Sequence, residues 1–418
     1  MHTPIAIIGA GPAGMIAALQ AAKAGAQVTL LDANAVVGRK LLVTGSGRAN
    51  LSNRNMSAER YTCADTEWMK KLLTHFGHDD LLRFLESMGV LTCSTADGWT
   101  YPVSDSAQSV AVAFEAALSR AGVSVLLEHR VTAIRKSESG FTLKIAGHED
   151  LNCEKLIVAA GGKAYPTLGS RGELFPALKA LGHTILPLVP ALAPVTCEMR
   201  DYRKLQGVRL DAKVTLYSVG VITNDRAQPA APLQMVGETT GNIIFTEWGL
   251  NGPGVMDLSH HISRHPESHF EIRLNFLPRN EEAVRKLVKQ HRREVIPLKV
   301  IPGSSLPPKL THFAIEKTGL RADATLDKTS DAQLETLFAF ITVLPLQVTG
   351  VRGFEYCQVS AGGVPVTEVD PATMKSKFVR GLYLVGESLD VVGPCGGYNL
   401  QFAFSSGVAA GMAITGNS

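Results

Sequence analysis

The sequence has no paired cysteines. Cys63, Cys93, Cys153, Cys197, Cys357 and Cys395 are scattered through 418 residues, and no two form a Cys-x-x-Cys. That spacing excludes the redox dithiol of disulfide reductases and offers no secreted disulfide framework. No charged leader precedes an apolar stretch at the N-terminus, so a cytoplasmic chain with reduced thiols is expected. No apolar run approaches bilayer-spanning length, and no membrane association is expected. Charge of one sign is not in excess: 41 basic against 38 acidic residues give +3. This balance implies neither a nucleic-acid footprint nor an acidic tail, so a small-molecule substrate and no nucleic-acid partner are expected. His260-His261 lacks a third ligand at metal spacing, and no metal is expected. Internal repeats and low-complexity tracts are absent.

A hydrophobic content of 45% is enough for two or three domains, each with a core. Ile5-Ala6-Ile7-Ile8 shows no alternation, as a parallel strand covered on both faces should. Gly9-Ala10-Gly11-Pro12-Ala13-Gly14 follows at once, and helix formers continue from Met15 to Ala24. Gly9 suits the tight turn, Gly11 the approach of a pyrophosphate, and Gly14 close helix–strand packing. Helix N–H groups then face the phosphates. A second strand, Gln27 to Leu31, ends at Asp32 and Ala33, about 20 residues beyond the fingerprint, where a carboxylate accepts ribose hydroxyls. Strand, motif, helix and acid together define a dinucleotide-binding α/β domain.

Later segments point to FAD rather than NAD. Gly38-Arg39-Lys40 leads to a glycine-rich loop, Thr44 to Asn53, whose Ser46 and Gly47 can wrap a planar ring with backbone donors. Glu154 to Val158 is a strand running into Ala160 and Gly161, small enough for close approach to a ligand; Val131 joins these candidate contacts. Near the C-terminus, a strand from Gly381 to Val385 ends in Gly386-Glu387. Asp390 and the turn Gly396-Gly397-Tyr398-Asn399 follow, and Leu400 to Ile414 reads as a buried helix. Its N-terminus suits the negative side of a reduced flavin. Two remote helix N-termini would hold opposite ends of one long, non-covalent FAD. On the first loop, Arg48 and Asn50 are the candidate catalytic residues. Arg48 either tunes the ring and grips the substrate or ties its own loop together.

Several segments resemble the BaiN/RdsA family of NAD(P)/FAD-dependent oxidoreductases over essentially the full chain. They are Gly38 to Leu42 with the Gly-Ser-Gly-Arg-Ala-Asn loop, Tyr101 to Asp105, Leu181 to Ile185 through Leu192, Gly249 to Pro253, Ser360 to Val364, and Gly386 to Gln401. The resemblance implies a Rossmann-type FAD domain made of residues 1–194 and 350–418. Into it are inserted a β-rich domain, 195–278 and 342–349, and a small helical domain, 279–341. The β-type runs 213–217, 241–245 and 270–274 and the helical spacing after Asn280 suit that organisation. Basic residues 285–293 read as a solvated helix face. The family loop usually carries cysteine where this chain has Ala49, and threonine where it has Cys395; Cys395→Ala tests whether that thiol takes over.

No second Gly-x-Gly-x-x-Gly follows a strand, so NAD(P)H would dock transiently. The resemblance implies reduction of a conjugated double bond in a steroid-like or other enone. Oxidation of a small amine, modification of RNA and flavin-based sensing are the alternatives.

Overall fold

The computed structural model describes residues 1–219 and 233–416. The chain divides into two compact units, Met1–Val189 with Cys357–Ser418, and Pro190–Tyr356.

In the first unit, strand His2–Ile8 pairs in parallel with Val28–Leu31 on one side and Leu151–Val158 on the other. Ser124–Leu126 extends this sheet in parallel, and Leu382–Leu384 pairs in parallel with Leu156–Val158. The antiparallel strands Val131–Ser137 and Gly140–Ile145 complete the seven-stranded sheet. Ile5, Ala6, Ile7 and Ile8 are all buried, as a parallel strand covered on both faces requires. Each of the three isoleucines contributes roughly 1.5–3 kcal/mol on burial. The C-terminal strand thus completes a sheet begun at residue 2.

The two ends of the chain also meet through helices. Helix Pro12–Lys23 packs on the last helix, Tyr398–Ala413, which is apolar almost all round and therefore buried. Gly407 and Gly411, four residues apart, lie on one face of that helix. A Cβ on Gly407 would stand 2.3 Å from the carbonyl oxygen of Ala13, and one on Gly411 2.4 Å from that of Ala17. Only glycine lets the backbones approach so closely.

The second unit is a closed antiparallel barrel. Its strands run Val195–Cys197, Gly249–Asn251, Gln234–Phe245, Arg209–Val219, His269–Asn275 and Leu344–Val351 around the wall. Alternation replaces the solid apolar run here: Phe270, Ile272 and Leu274 point inward, as do Leu344, Leu346 and Val348. Helices Glu281–Gln290, Pro308–Lys317 and Asp331–Thr342 occupy the connection before the last strand. Pro307 caps the second of these and Pro308 opens it, where a missing N–H costs nothing. Ser330 and Gln333 form a capping box on the third. Among the described residues, no helix is long and apolar enough to cross a membrane.

Candidate functional site

The glycines of the first turn divide by what surrounds them. Gly9 has φ +105°, and a Cβ there would lie 2.3 Å from the carbonyl oxygen of Ala159. A Cβ on Gly14 would lie 1.8 Å from the carbonyl oxygen of Gly9. Both positions are closed by backbone. Gly11, which caps the helix beginning at Pro12, has nothing within 4 Å of its Cβ direction. The open side of the turn is therefore the helix N-terminus, where N–H groups and the helix dipole favour an anion.

Asp32 stands beside this turn. Its Oδ2 accepts from the backbone N–H of Ala10 at 2.7 Å, and its Oδ1 accepts from the N–H and side-chain amide of Asn34 at 2.8 Å. A carboxylate has about four acceptor positions, so one remains for a hydroxyl donor. Gly38 donates its N–H to Ala10, and Arg39 donates to Asn34 Oδ1 at 2.7 Å. Ala33, Asn34 and Arg39 line a cavity of about 270 Å³, together with Glu128, Arg130 and Arg171. Val131 is buried in the sheet one residue beyond Arg130.

The C-terminal segment comes back to the same turn. A Cβ on Gly386 would lie 3.2 Å from that of Ala13, and the Gly386 N–H is held by Ser406 Oγ at 3.0 Å. Glu387 Oε2 pairs with Lys40 Nζ at 2.5 Å, while its Oε1 accepts from the N–H of Ser360 at 2.9 Å. Ser360 Oγ in turn accepts from Lys163 N, just past Ala160 and Gly161. Lys40 and Glu387 thus meet each other, and the ion pair ties four chain segments into one rim. Asp390 is buried and accepts from the N–H of Gly362 at 2.7 Å.

The glycine loop is held in an unusual backbone. Gly45, Ser46, Gly47 and Ala49 all have positive φ, between 57° and 86°. Arg48 is exposed; its Nε donates to the carbonyl of Gly45, and its guanidinium lies 4.5 Å from the Tyr101 ring centroid. Burial raises the Tyr101 phenol above its ordinary pKa, and Arg48 partly opposes that shift. Asn50 differs: it is 7% exposed, and its Oδ1 is buried with no hydrogen-bond partner among the described residues. An orphaned acceptor of this kind costs about 1–3 kcal/mol unless a ligand supplies the donor.

Beyond the loop, strand Ser52–Asn53 lies under the turn that starts the last helix. A Cβ on Gly397 would fall 2.2 Å from the carbonyl oxygen of Ser52, and one on Gly396 2.7 Å from Trp99 Nε1. Asn53 Nδ2 donates to the Gly396 carbonyl at 2.9 Å. Tyr398 and Asn399 turn their side chains to the protein: Tyr398 Oη donates to Asn55 O, and Asn399 brackets Gly393 through both amide atoms. What these positions offer a ligand is backbone. Sequence reasoning missed the buried network below. Ser52 Oγ donates to Gln401 Oε1 at 2.6 Å, so His78 Nδ1, at 2.9 Å from the same oxygen, carries the proton. Burial lowers the His78 pKa, and Asp79 partly opposes that shift. Cys395 Sγ faces Gln358 Oε1 at 3.9 Å.

FAD fits these residues. The open side of Gly11, the spare acceptor on Asp32 and the orphaned Oδ1 of Asn50 each want a ligand atom. Fold and site together define an FAD-dependent oxidoreductase of Rossmann type. The chain belongs to the HI0933-like Rossmann-domain family, which matches residues 3–413. It is 36% identical to a 3-dehydro-bile acid delta(4,6)-reductase of Clostridium scindens, over 98% of each chain. It is 29% identical to a ribosomal RNA dihydrouridine synthase of Escherichia coli, over 96% of this chain and 95% of that one. The fold is like that of 3-ketosteroid delta1-dehydrogenase from Sterolibacterium denitrificans, with a TM-score of 0.52 at 11% identity over 99% of both chains. The resemblance to the BaiN/RdsA oxidoreductases holds along the whole chain.

Proposed function

We propose that the protein is an NAD(P)H-linked reductase of a carbon–carbon double bond conjugated to a carbonyl, in a small ring enone of steroid type. The observation that carries this reading is the full-length similarity to the C. scindens bile acid reductase. When bound, FAD supplies the hydride. The residues of the chain hold it: Gly11 and the first helix at the phosphates, Asp32 and Ala33 at the ribose, with Gly38, Arg39 and Lys40 behind them. Ser46, Gly47, Ala160, Gly161, Gly386 and Gly397 present backbone where a side chain would block the ring. Arg48 and Asn50 are the loop residues assigned to the chemistry. NAD(P)H docks transiently, since the chain carries a single dinucleotide motif. Substrate choice is assigned to the β-rich and helical insertions, residues 195–349.

A second reading has one specific support. The uracil C5=C6 bond is also conjugated to a carbonyl, so the E. coli relative, named for reducing uridine in ribosomal RNA, would act on the same type of bond. The charge of +3 weighs against an extended RNA footprint. The deciding experiment mixes the purified holoprotein anaerobically with NADH or NADPH while following flavin absorbance. Bleaching by one nicotinamide, then reoxidation by a 3-oxo-Δ4 steroid, is the expected result. Bleaching by neither overturns the reductase reading. Reoxidation by ribosomal RNA and not by the steroid assigns the second reading, and rapid reoxidation by oxygen with peroxide release assigns an oxidase.

A further inference from the structure

The second unit carries an arginine prepared for an anion. Arg352 follows strand Leu344–Val351, and Trp248 precedes strand Gly249–Asn251. Both strands pair with the short strand Val195–Cys197 from opposite sides, at Val195 with Leu250 and with Val351. The backbone fixes the two residues at this edge. Arg352 N donates to the Pro194 carbonyl at 2.9 Å, and Cys197 N donates to the Trp248 carbonyl at 3.0 Å. The Arg352 guanidinium carbon then lies 4.8 Å from the Trp248 ring centroid and 3.4 Å from that of Tyr356.

Stacking on aromatic faces satisfies the π-surface of a guanidinium and leaves its N–H groups pointing outward in the plane. Several other basic side chains of this unit pair with acids: Arg285 with Glu281 and Glu335, Arg292 with Asp331, and Lys204 with Glu316. Among the described residues Arg352 meets no carboxylate and no acceptor takes its side-chain N–H groups. Glu355, the nearest acid in sequence, turns its carboxylate over Gly353 instead. Arg352 and Trp248 are half-buried, while Tyr356 is 47% exposed, so a ligand can reach the edge of the guanidinium. Two coplanar donors held against two aromatic rings match a planar carboxylate on an apolar body.

We propose that Arg352, Trp248 and Tyr356 form a binding site for the carboxylate of a small organic acid. The inference stands apart from the identity of the reduced bond, because it concerns binding and not turnover. Trp248 is its own reporter, since the chain has three tryptophans and the difference between wild type and Trp248→Phe isolates its emission. The holoprotein is titrated with cyclohexanecarboxylate, with the neutral cyclohexanecarboxamide and with inorganic phosphate. A saturable change with the carboxylate alone is expected. Arg352→Gln should weaken it at least tenfold with an unchanged melting temperature. Arg352→Lys, which keeps the charge but not the fork, should lie in between. No saturable response, an equal response to the carboxamide, or full binding by Arg352→Gln overturns the proposal. A response to phosphate alone overturns it in favour of a phosphoryl ligand.

Discussion

Gly11→Ala and Gly14→Ala differ by three residues and should fail in opposite ways. A methyl at Gly14 would stand 1.8 Å from the carbonyl oxygen of Gly9, where ordinary contact begins at 3.4 Å. The obstacle is backbone of the same turn and cannot rotate away, so the helix must shift off the strand. Overpacking of that kind costs about 1–3 kcal/mol or more, against about 1 kcal/mol gained from helix propensity. A net loss near 2 kcal/mol lowers the melting temperature of a domain this size by roughly 4–8 °C. Gly11 has φ −77°, ordinary for alanine, and its methyl would meet nothing within 4 Å. Gly11→Ala should therefore leave the apoprotein within about 0.5 kcal/mol of wild type. Its methyl occupies the side of the turn assigned to the pyrophosphate, so FAD affinity should fall tenfold or more, about 1.4 kcal/mol. The assay is a pair of measurements on each variant: apoprotein melting by circular dichroism, and FAD titration by flavin fluorescence. Wild-type FAD binding by Gly11→Ala would refute the assignment of this turn to the cofactor. A wild-type melt for Gly14→Ala would refute the packing argument.

The orphaned acceptor on Asn50 gives a similar separation. Asn50→Leu removes an unsatisfied buried group, so the apoprotein should melt no lower than wild type while the purified protein retains several-fold less FAD. Lys40→Met strands Glu387, whose side chain is 18% exposed; the loss should be about 1–3 kcal/mol by urea midpoint, below that of a fully buried pair. Burial, then His261 and Arg264, lower the His260 pKa to about 3 from 6.5. The unfolded chain therefore takes up this proton first. Its contribution is complete above about pH 6.5 and is lost as pH falls towards 3, by up to about 1.4 kcal/mol per unit. Melting from pH 7 to 4.5 should show this slope, about 2–3 kcal/mol in all, and His260→Gln should flatten it.

What could be read in advance was local. The turn Gly9 to Gly14 declares itself because strand, glycines, helix and acid must follow within one βαβ unit. The strand Leu382–Leu384 and the helix Tyr398–Ala413 announce themselves by composition. Their partners do not. Lys40 and Glu387 were each legible as residues of the site, yet 347 residues separate them, and nothing in one sequence says that they hold each other. Gly407 and Gly411 read as part of a small-residue helix, but the reason for them is Ala13 and Ala17 on another. Arg48 shows the same limit inside one loop: composition says that the loop is polar, not that its arginine lies on Tyr101. The barrel strand Leu344–Val351 alternates plainly, but closure depends on register with Val195–Cys197.

This asymmetry has a consequence for function. A dinucleotide is gripped mainly by backbone, and the sequence must spend glycines where backbone comes close, so the cofactor leaves a local signature. Side-chain sites, by contrast, are assembled by distant strands, as Val195–Cys197 brings Trp248 beside Arg352. Such a set can change without disturbing the glycine turns. Relatives at 36% and 29% identity over nearly the whole chain accordingly carry names for a bile acid reductase and an RNA dihydrouridine synthase. Both substrates offer a double bond conjugated to a carbonyl, so the chemistry can stay constant while recognition diverges. Recognition is therefore where this protein has to be distinguished from them, and the acid site proposed at Arg352, held against Trp248 and Tyr356, is one place in the second unit to look.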